Sequence, residues 1–406
     1  MPDVIHAIQT FNAGRDPERL ALKYANMRAS PFVFLRGTCH LFYRRLPDAP
    51  VLAEAPAVWC CGDLHLQNFG SYKGDNRLVY FDINDFDESA LAPASWDLVR
   101  FLASVLVGAG SMDLKKKEAG ELCDAFLDGY CLTLVSGKAG WVERETAHGL
   151  IGDLLGSLKG RLRPAFLDSR TELKGKRRRL RVDNGKALPA SDEARAAVTQ
   201  LIGDLAESRD DPRFYEVLDV ARRIAGTGSL GVDRYVILVR GKGLPDGNYL
   251  LDLKEALPSS LTPYLKIPQP AWKTEAERAV AVERRMQVVS AAFLQPIRVG
   301  KRAYVLRDLQ PTSDRISLDV GRSGFDAVRG GIAEMGRILA SAQLRSGGRD
   351  GSAIADALIA FGQGAWRTAL LGAARACAGQ VEKDWAAYCT AYDDGAFAEA
   401  GGAQSG

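Results

Sequence analysis

The feature that most constrains the fold is a glycine-rich turn, Gly226-Thr227-Gly228-Ser229-Leu230-Gly231, set between two strand-like segments. The residues that follow, VDRYVILVRG, alternate in polarity and are rich in β-branched side chains, so the pattern predicts strand, turn and strand. A dinucleotide-binding glycine loop leads from a strand into a helix, which makes an oxidoreductase the weaker interpretation. Because glycines carry no side chain, the amides of such a hairpin can approach phosphate groups closely. We therefore expect Gly226, Thr227, Gly228, Ser229 and Gly231 to bind phosphate.

The segment around this turn differs in character from the rest of the chain. Residues 214–308 are typical of strands, with one helix at 274–294, whereas the flanking residues are mainly typical of helices. A basic, polar stretch at 170–195 indicates a long loop or a partly ordered excursion. We expect an α+β fold of two lobes, with a small β-rich lobe (209–310) inserted between two parts of a mainly helical large lobe (1–208 and 311–406).

A group of chemically active side chains lies in the first quarter of the chain. Asp63 and Asn68 fall within CGDLHLQN, a loop after the short strand predicted at 57–61, and INDFDE follows the strand predicted at 77–83. Phosphoryl transfer requires a carboxylate that orients the acceptor hydroxyl and oxygen ligands that hold Mg²⁺ against the phosphates. An Asp, an Asn five positions later and a further Asp at a strand end supply these groups.

The stretch CGDLHLQN…INDFDESALAPASWDL resembles the catalytic signature of the aminoglycoside-phosphotransferase and choline-kinase branch of the protein-kinase-like superfamily. In that branch the pattern is H-G-D-x-H-x-x-N, then I-D-F and a downstream D-L. The resemblance implies that Asp63 is the catalytic base and that Asn68 and Asp85 bind the metal. It also implies that Asp97 braces the catalytic loop.

The match to this signature leaves two points open. Cys61 stands where the motif has its first His, a position that is usually structural. Asp82 and Asp87 compete with Asp85 as the metal ligand, and the spacing to Asp97 favours Asp85.

Two further polar residues have more than one interpretation. His65 can bond the loop backbone or approach the phosphate, and the first role is favoured. Arg36, in FLRG, can reach a phosphate or brace the acidic NDFDE loop, and the sequence does not decide between these roles.

A lysine on the strand after the glycine hairpin matches the same resemblance. In kinases the third strand carries a Lys that contacts the α and β phosphates and pairs with a Glu of the following helix. Lys254, in LLDLKEA, is the matching residue, and Glu283 is its expected partner, with Glu277 as the alternative. A lysine of an edge strand that extends to solvent is the other interpretation of Lys254.

The order of these motifs is inverted relative to ordinary kinases, in which the glycine loop precedes the catalytic loop. Here the catalytic loop is at 61–68 and the glycine loop is at 226–231. Circular permutation explains this order and needs only termini that lie at a compatible surface. It predicts that a helix at 326–346 packs beside residues 59–70.

The same order is similar to that of a group of bacterial proteins catalogued only as a domain of unknown function. Its members carry F-x-F-x-R-G, as residues 32–37 do here, then G-D-x-H-x-x-N-F-G, N-D-F-D-E, G-x-G-S-x-G and L-x-K-E-A. The resemblance spans about residues 30–345, and Gln343 lies where the group often has a His. This resemblance does not indicate which substrate the protein acts on.

Composition limits the partners. The chain has 53 Lys and Arg against 50 Asp and Glu, so its net charge of +3 gives no global case for nucleic acid binding. The longest apolar stretch, 98–110, is interrupted by Arg100 and is too short to span a bilayer. No signal-peptide or paired-cysteine pattern is evident, so we expect a cytoplasmic protein without a membrane partner.

Together these features predict a phosphotransferase that uses ATP and Mg²⁺ and acts on a hydroxylated acceptor, most simply a small molecule. One alternative is transfer of AMP onto a protein, with the nucleotide in a flipped pose. Another is a non-catalytic ATP sensor, although a pure binder has no need for Asp63.

Overall fold

Short helices form the N-terminal part of the fold. A computed structural model of the chain describes residues 3–182, 185–243, 245–310 and 315–398. Asp16 caps the second helix and Pro17 occupies its first turn, while Ser30 and Pro31 start the third helix in the same way. The helices are α1 (Val4–Asn12), α2 (Pro17–Met27), α3 (Pro31–Gly37), α4 (Cys39–Arg44) and α5 (Pro50–Ala53).

Two antiparallel strand pairs and four helices follow. They are β1 (Ala57–Cys60), β2 (Phe69–Lys73), β3 (Val79–Ile83), β4 (Ala90–Pro93), α6 (Ala94–Gly108), α7 (Lys116–Ser136), α8 (Gly149–Ser157) and α9 (Arg163–Asp168). β1 pairs with β4, and β2 pairs with β3. The loop at 61–68 therefore leaves one strand pair and enters the other, and both of its ends are held by main-chain hydrogen bonds.

The prediction of a long loop at 170–195 is wrong. The segment contains the strands β5 (Thr171–Lys174), β6 (Arg177–Leu180) and β7 (Ala187–Pro189). β5 and β6 form a hairpin, in which Arg178 is buried and pairs with two aspartates. Leu180 is buried in a small apolar cluster with Leu167 and Ala187. The ion pairs of Arg178 and the apolar packing of Leu180 stabilise this hairpin, although the composition alone indicated a loop.

An antiparallel sheet of six strands occupies the middle of the chain, within the residues that the structure describes. Its other elements are α10 (Asp192–Glu207), β8 (Val217–Arg223), β9 (Arg234–Val239), β10 (Tyr249–Glu255), α11 (Glu275–Met286), β11 (Gln295–Val299) and β12 (Arg302–Asp308). The strand order is β11-β12-β10-β9-β8-β7. α11 packs against β11 and β12, and α10 packs against β8. The glycine-rich turn connects β8 to β9, so the predicted strand–turn–strand arrangement is confirmed.

The helix predicted at 274–294 ends earlier than expected. α11 begins after Thr274, whose side chain accepts a hydrogen bond from the Glu277 amide, and it ends at Met286. Gln287 is extended (ψ 148°), and Phe293 has a positive φ of 63°. These two backbone conformations are incompatible with a continuing α-helix.

Helices complete the chain and enclose the main core. They are α12 (Val320–Ser323), α13 (Phe325–Ser346), α14 (Ala355–Gly362) and α15 (Arg367–Asp393). α13 packs along α7 and also contacts β1. Trp59 of β1 donates from Nε1 to the Arg349 carbonyl (3.2 Å), just beyond the end of α13. The expected packing of residues 326–346 beside 59–70 is therefore present.

The crossing of α7 and α13 depends on two glycines. A Cβ at Gly129 would lie 2.1 Å from the Ala333 carbonyl oxygen, and a Cβ at Gly336 would lie 2.1 Å from the Phe126 carbonyl oxygen. Such contacts require the helix backbones to separate, so we expect Gly129→Ala or Gly336→Ala to lower the free energy of unfolding by about 3 kcal/mol. Urea-induced unfolding measures this loss.

Gly330→Ala is the matched control on α13, because a Cβ there meets nothing within 4 Å. This variant is expected to gain about 0.5–1 kcal/mol, the usual difference between Ala and Gly in a helix. Equal stabilities of the three variants would contradict the close helix crossing.

The architecture confirms the α+β class: one antiparallel sheet and short strand pairs are combined with extensive helical packing. Among the described residues, none of the helices has the length and apolar character needed to cross a membrane.

Candidate functional site

The loop at 61–68 is held by a buried carboxylate. Asp97, in the first turn of α6, accepts hydrogen bonds from the Cys61 amide (2.9 Å) and the Gly62 amide (3.0 Å). Burial raises the pKa of Asp97 to about 6, although these amides oppose the shift. The resemblance implied that Asp97 braces this loop, and the two hydrogen bonds form that brace.

Asp63 lies on this loop and faces a buried arginine. Its Oδ1 accepts from both Nη2 (2.6 Å) and Nε (3.0 Å) of Arg100, whose side chain is fully buried on α6. The Asp63 side chain retains 22% exposure. Burial raises the pKa of Asp63 even though Arg100 opposes this effect. Arg100 fixes one carboxylate oxygen, so Oδ2 is the atom left for a substrate.

The carboxylates of β3 and of the acidic segment that follows it lie in different places. Asp82 is buried, and its Oδ2 accepts from Arg345 of α13 (3.3 Å). Asp85 and Asp87 instead lie at Lys254. The alternatives for the metal ligand are therefore reduced, because Asp82 lies away from the other predicted site residues.

Lys254 brings β10 into contact with this acidic segment. Its ammonium forms an ion pair with Asp87 and lies 4.0 Å from Oδ1 of Asp85. Burial alone would raise the pKa of Asp85, but Lys254 and Arg307 outweigh it and lower the pKa below its ordinary value. Burial lowers the pKa of Lys254, and Asp85 opposes this shift. A half-exposed, ionised Asp85 therefore lies beside a buried ammonium group.

The predicted pairing of Lys254 with Glu283 is not among the ion pairs of the described residues. Glu283, on α11, lines the same small recess as Lys254 and Asp85, but its Oε1 has no hydrogen-bond partner among those residues. Burial raises the pKa of Glu283 to about 7. Asp87 occupies the place at Lys254 that Glu283 was expected to take, because the acidic segment after β3 lies closer to the ammonium group.

This raised pKa predicts a pH dependence of stability. The pKa of Glu283 is about 7 in the folded state and about 4.3 in an unfolded chain. The folded state therefore binds more protons between these values, and stability falls as pH rises through that window. The loss is about 2–3 kcal/mol between about pH 5 and about pH 8. Glu283→Gln is expected to remove that loss, as measured by urea unfolding at both pH values.

Glu382→Gln serves as the control, since Glu382 is exposed on α15. It should keep the pH dependence of the wild-type protein. A Glu283→Gln protein that still loses the same free energy between the two pH values would show that Glu283 is not the titrating group.

Cations from the N-terminal helices hold the glycine-rich turn. Arg15 donates to the carbonyls of Gly228 (2.9 Å) and Leu230 (3.3 Å), and Lys23 donates to the Gly228 carbonyl (3.1 Å). Gly226 and Gly231 have positive φ values of 71° and 86°, which glycine adopts without strain. The turn is thus tied by its carbonyls to α2 and to the connection between α1 and α2.

A narrow cleft of about 90 Å³ is lined both by residues of the loop at 61–68 and by the glycine-rich turn with Lys254. Most of the predicted site residues line it: Asp63, Asp85, Gly226, Thr227, Gly228, Ser229 and Lys254. Asn68, Gly231 and Glu283 do not line it. The Asp63 carboxylate and the Lys254 ammonium group therefore face one shared cleft, despite their separation in the chain.

Asn68 lies behind the cleft and connects its walls. Its Nδ2 donates to the carbonyls of Asp63 (3.1 Å) and Asp85 (3.4 Å), and the residue is 5% exposed. Oδ1 is thus the side-chain atom left to bind a cation next to Asp85. Among the described residues, no group of three or more His, Cys, Asp or Glu is placed to hold a metal ion. A Mg²⁺ site made of one carboxylate, one amide, phosphates and water does not need such a group.

His65 and Arg36 both brace the loop at 61–68. His65 accepts at Nδ1 from the Gln67 amide (3.1 Å), and Arg36 donates to the Gln67 side chain (2.7 Å). Both residues also line the cleft. Burial lowers the pKa of His65 well below its usual value, so the ring is neutral. His65 has the favoured role. Arg36 contacts the loop at 61–68 through Gln67 and faces the cleft, so its contact with a phosphate stays a prediction.

Sequence reasoning missed several residues of the site. Arg100 was noted only as an interruption of an apolar stretch, although an arginine at such a position needs a buried partner. The roles of Arg15 and Lys23 had no signal in the local pattern, because their partners lie more than 200 positions away. Glu88 also lines the cleft and accepts hydrogen bonds from Ser260.

Comparison with known proteins identifies one family. A family model described as an uncharacterized protein conserved in bacteria (DUF2252) matches residues 15–391. No curated protein matches the chain, and no solved structure matches it.

Proposed function

Because this chain belongs to the bacterial family DUF2252, whose description assigns no activity, we propose a function from the cleft itself. The protein is an ATP- and Mg²⁺-dependent phosphotransferase that moves the γ-phosphate to a hydroxyl group, most simply that of a small molecule. In this proposal the fold is a circularly permuted, two-lobed protein-kinase-like fold.

The observation that carries the proposal is the convergence at the cleft. Asp63 from the catalytic loop, Asp85 from the acidic segment, and Lys254 with the glycine-rich turn line one recess. A base, a metal-binding carboxylate and a phosphate-binding cation are the parts that phosphoryl transfer requires. A structural ion-pair network alone would not need a glycine hairpin beside it.

The order of elements around the sheet supports the permuted fold. The glycine-rich turn joins β8 to β9, Lys254 lies on the following strand β10, and α11, β11 and β12 come next. Protein kinases place a glycine loop, a lysine on the third strand and then a helix in the same succession. The packing of α13 beside β1 supplies the contact that permutation requires.

The residues of this chain would divide the chemistry among them. Asp63, fixed by Arg100 through Oδ1, orients the acceptor hydroxyl and accepts its proton at Oδ2. Lys254 exchanges Asp87 for a phosphate oxygen, and the amides of the turn at 226–229 approach the phosphates. Asp85 and Asn68 would hold Mg²⁺, which neutralises charge on the phosphates during transfer.

The cleft must widen before it can hold a nucleotide. Its volume of about 90 Å³ is smaller than the roughly 300–1,000 Å³ of ordinary small-molecule sites. The Arg15 and Lys23 bonds to the turn connect the N-terminal helices to the sheet and resist this opening. We therefore expect binding to be coupled to a movement of the sheet relative to the catalytic loop.

A cluster of arginines favours AMP transfer as a second candidate. Asp252, two residues before Lys254 on the same face of β10, is buried and pairs with Arg223, Arg234 and Arg307. If the nucleotide is not flipped, its adenine lies beneath the sheet and needs an apolar surface, but this region is charged. Guanidinium groups bind phosphates better than they bind adenine, so the cluster favours a flipped nucleotide.

Labelled ATP separates these two functions. With Mg²⁺ and a panel of hydroxylated small molecules, label from the γ-phosphate is expected in a small-molecule product. Label from the α-phosphate in the protein, with an AMP adduct seen by mass spectrometry, would establish the second candidate instead. Transfer of neither label would contradict both.

Lys254→Met provides a test of the cleft. Loss of the ammonium group removes a contact to the phosphates, so we expect transfer to fall by about 100-fold or more. Lys266→Met is the control, because Lys266 lies outside the cleft in the connection between β10 and α11. Full activity of Lys254→Met would exclude this cleft as the site of transfer.

A further inference from the structure

A second cavity, much larger than the cleft, lies at the opposite end of β10. Its volume is about 740 Å³, within the range of small-molecule sites. The wall is formed by the β2–β3 hairpin, the segment from 158 to 167, the start of β10 and the end of β12. Among the described residues, its lining and that of the cleft have no member in common.

Cationic side chains dominate the polar part of this wall. They outnumber the carboxylates Asp75 and Asp308 among the described lining residues. The cations are Lys73, Arg77, Arg161, Arg163, Arg209 and Arg284. Burial raises the pKa of Asp308 to about 6, although Lys73 and Arg163 oppose this shift. The wall therefore presents an excess of positive charge around one cavity that is partly open to solvent.

Several of these guanidinium groups are held in place by the wall. Arg163 donates to the Tyr249 hydroxyl (2.5 Å), and Arg284 donates to the Leu294 carbonyl (2.6 Å). Arg209 donates to the Gln295 side chain. Each guanidinium carries five N–H donors, so one such bond fixes its position and leaves donors for an anion.

An aromatic surface faces the same space. Tyr72, Phe166, Tyr215, Tyr249 and Phe293 line the cavity. Phe293 packs against Tyr249 with ring centroids 5.8 Å apart. Aromatic rings contact flat, apolar groups favourably, so the wall combines an apolar part with a cationic part.

Backbone strain lies at the same place. Arg77 and Phe293 have positive φ values of 72° and 63°. This conformation is a clear outlier for a bulky residue such as Phe293 and costs about 1–3 kcal/mol at each residue. Strained residues of this kind are concentrated at ligand-binding and functional sites. Both strained side chains line the cavity, on neighbouring segments that are joined by main-chain hydrogen bonds.

We propose that this cavity is a binding site for a small organic phosphate. The ligand has a flat, apolar body that contacts the aromatic surface and a phosphate group that pairs with the cationic side chains. This site is separate from the proposed transfer cleft and does not depend on that activity. Tyr249 and Arg284 belong to β10 and α11, the elements that carry Lys254 and Glu283, so the two sites share rigid elements.

Three probes of matched chemistry test the site by isothermal titration calorimetry: 1-naphthyl phosphate, uncharged 1-naphthol and inorganic phosphate. We expect 1-naphthyl phosphate to bind at least about tenfold more tightly than either of the others, because it alone engages both surfaces. Inorganic phosphate binding equally well would reveal a charged patch only and would overturn the proposal. So would the absence of 1-naphthyl phosphate binding.

Variants locate the bound probe. Arg77→Asn combined with Arg209→Gln removes two exposed cations, and Asn tolerates the positive φ at position 77. This double variant is expected to weaken 1-naphthyl phosphate binding at least about tenfold. Arg179→Gln, on the exposed face of β6, should bind like the wild-type protein. Unchanged affinity in the double variant, or loss of binding in Lys254→Met, would place the probe elsewhere and overturn the proposal.

Discussion

Asp63→Asn is expected to reduce transfer from ATP by about 10³-fold, while the affinity for ATP changes little. A general base contributes about 10²–10⁴-fold to such reactions. Asn keeps an Oδ1 atom for the two Arg100 hydrogen bonds at 2.6 and 3.0 Å, so the loop geometry is retained. What disappears is the charged oxygen that accepts the proton. The measurements are the transfer rate with γ-labelled ATP and ATP binding by calorimetry.

The control for this experiment is Asp153→Asn, because Asp153 is exposed on α8 and far from the cleft. It should transfer phosphate at the wild-type rate. Equal and negligible turnover in the wild-type protein and in Asp63→Asn, together with normal ATP binding, would instead favour a nucleotide sensor. Full activity of Asp63→Asn would show that another group accepts the proton.

Gly62→Ala is expected to prevent stable folding. Gly62 has a φ of 85°, and a Cβ there would lie 2.1 Å from the Glu88 carbonyl oxygen. The substitution therefore combines left-handed backbone strain with a clash against backbone atoms. A rotation of a flexible side chain cannot relieve this clash. We expect a loss of more than about 4 kcal/mol, which is a large part of the stability of a typical protein. Thermal unfolding and the yield of soluble protein measure this loss.

Gly110→Ala is the companion variant, since its Cβ would meet nothing within 4 Å and the residue is exposed. It should unfold at nearly the wild-type temperature. If Gly62→Ala unfolded at the same temperature as Gly110→Ala, the close approach of Gly62 to Glu88 would not exist in solution.

Much of the fold could be predicted because its patterns are local. The strands on both sides of the glycine-rich turn and the helices α6 and α10 follow from alternation or helical periodicity within a few residues. β2 and β4 were not predicted, because short buried strands resemble irregular apolar segments. The hairpin at 171–180 was missed for another reason: Arg178 is buried and pairs with two aspartates, although the basic composition of the segment indicates a loop.

The residue types of the candidate site could be predicted, but most of their partners could not. The positions of Asp63 and Lys254 follow from local motifs, and the structure places both in one cleft. The pairing of Lys254 with Asp87 depends on how two remote segments meet, and no local spacing encodes that distance. The same limit applies to Arg100, whose partner is set by the packing of α6 beneath the loop.

The brace at the loop of residues 61–68 has a consequence for sequence divergence. Asp97 receives its two short hydrogen bonds from main-chain amides, while the Cys61 thiol lies farther away at 3.7 Å. Main-chain recognition is largely indifferent to the side chain that the amide carries. The space available therefore constrains position 61 more than the chemistry of its side chain does, because the anchor depends on the main-chain amide.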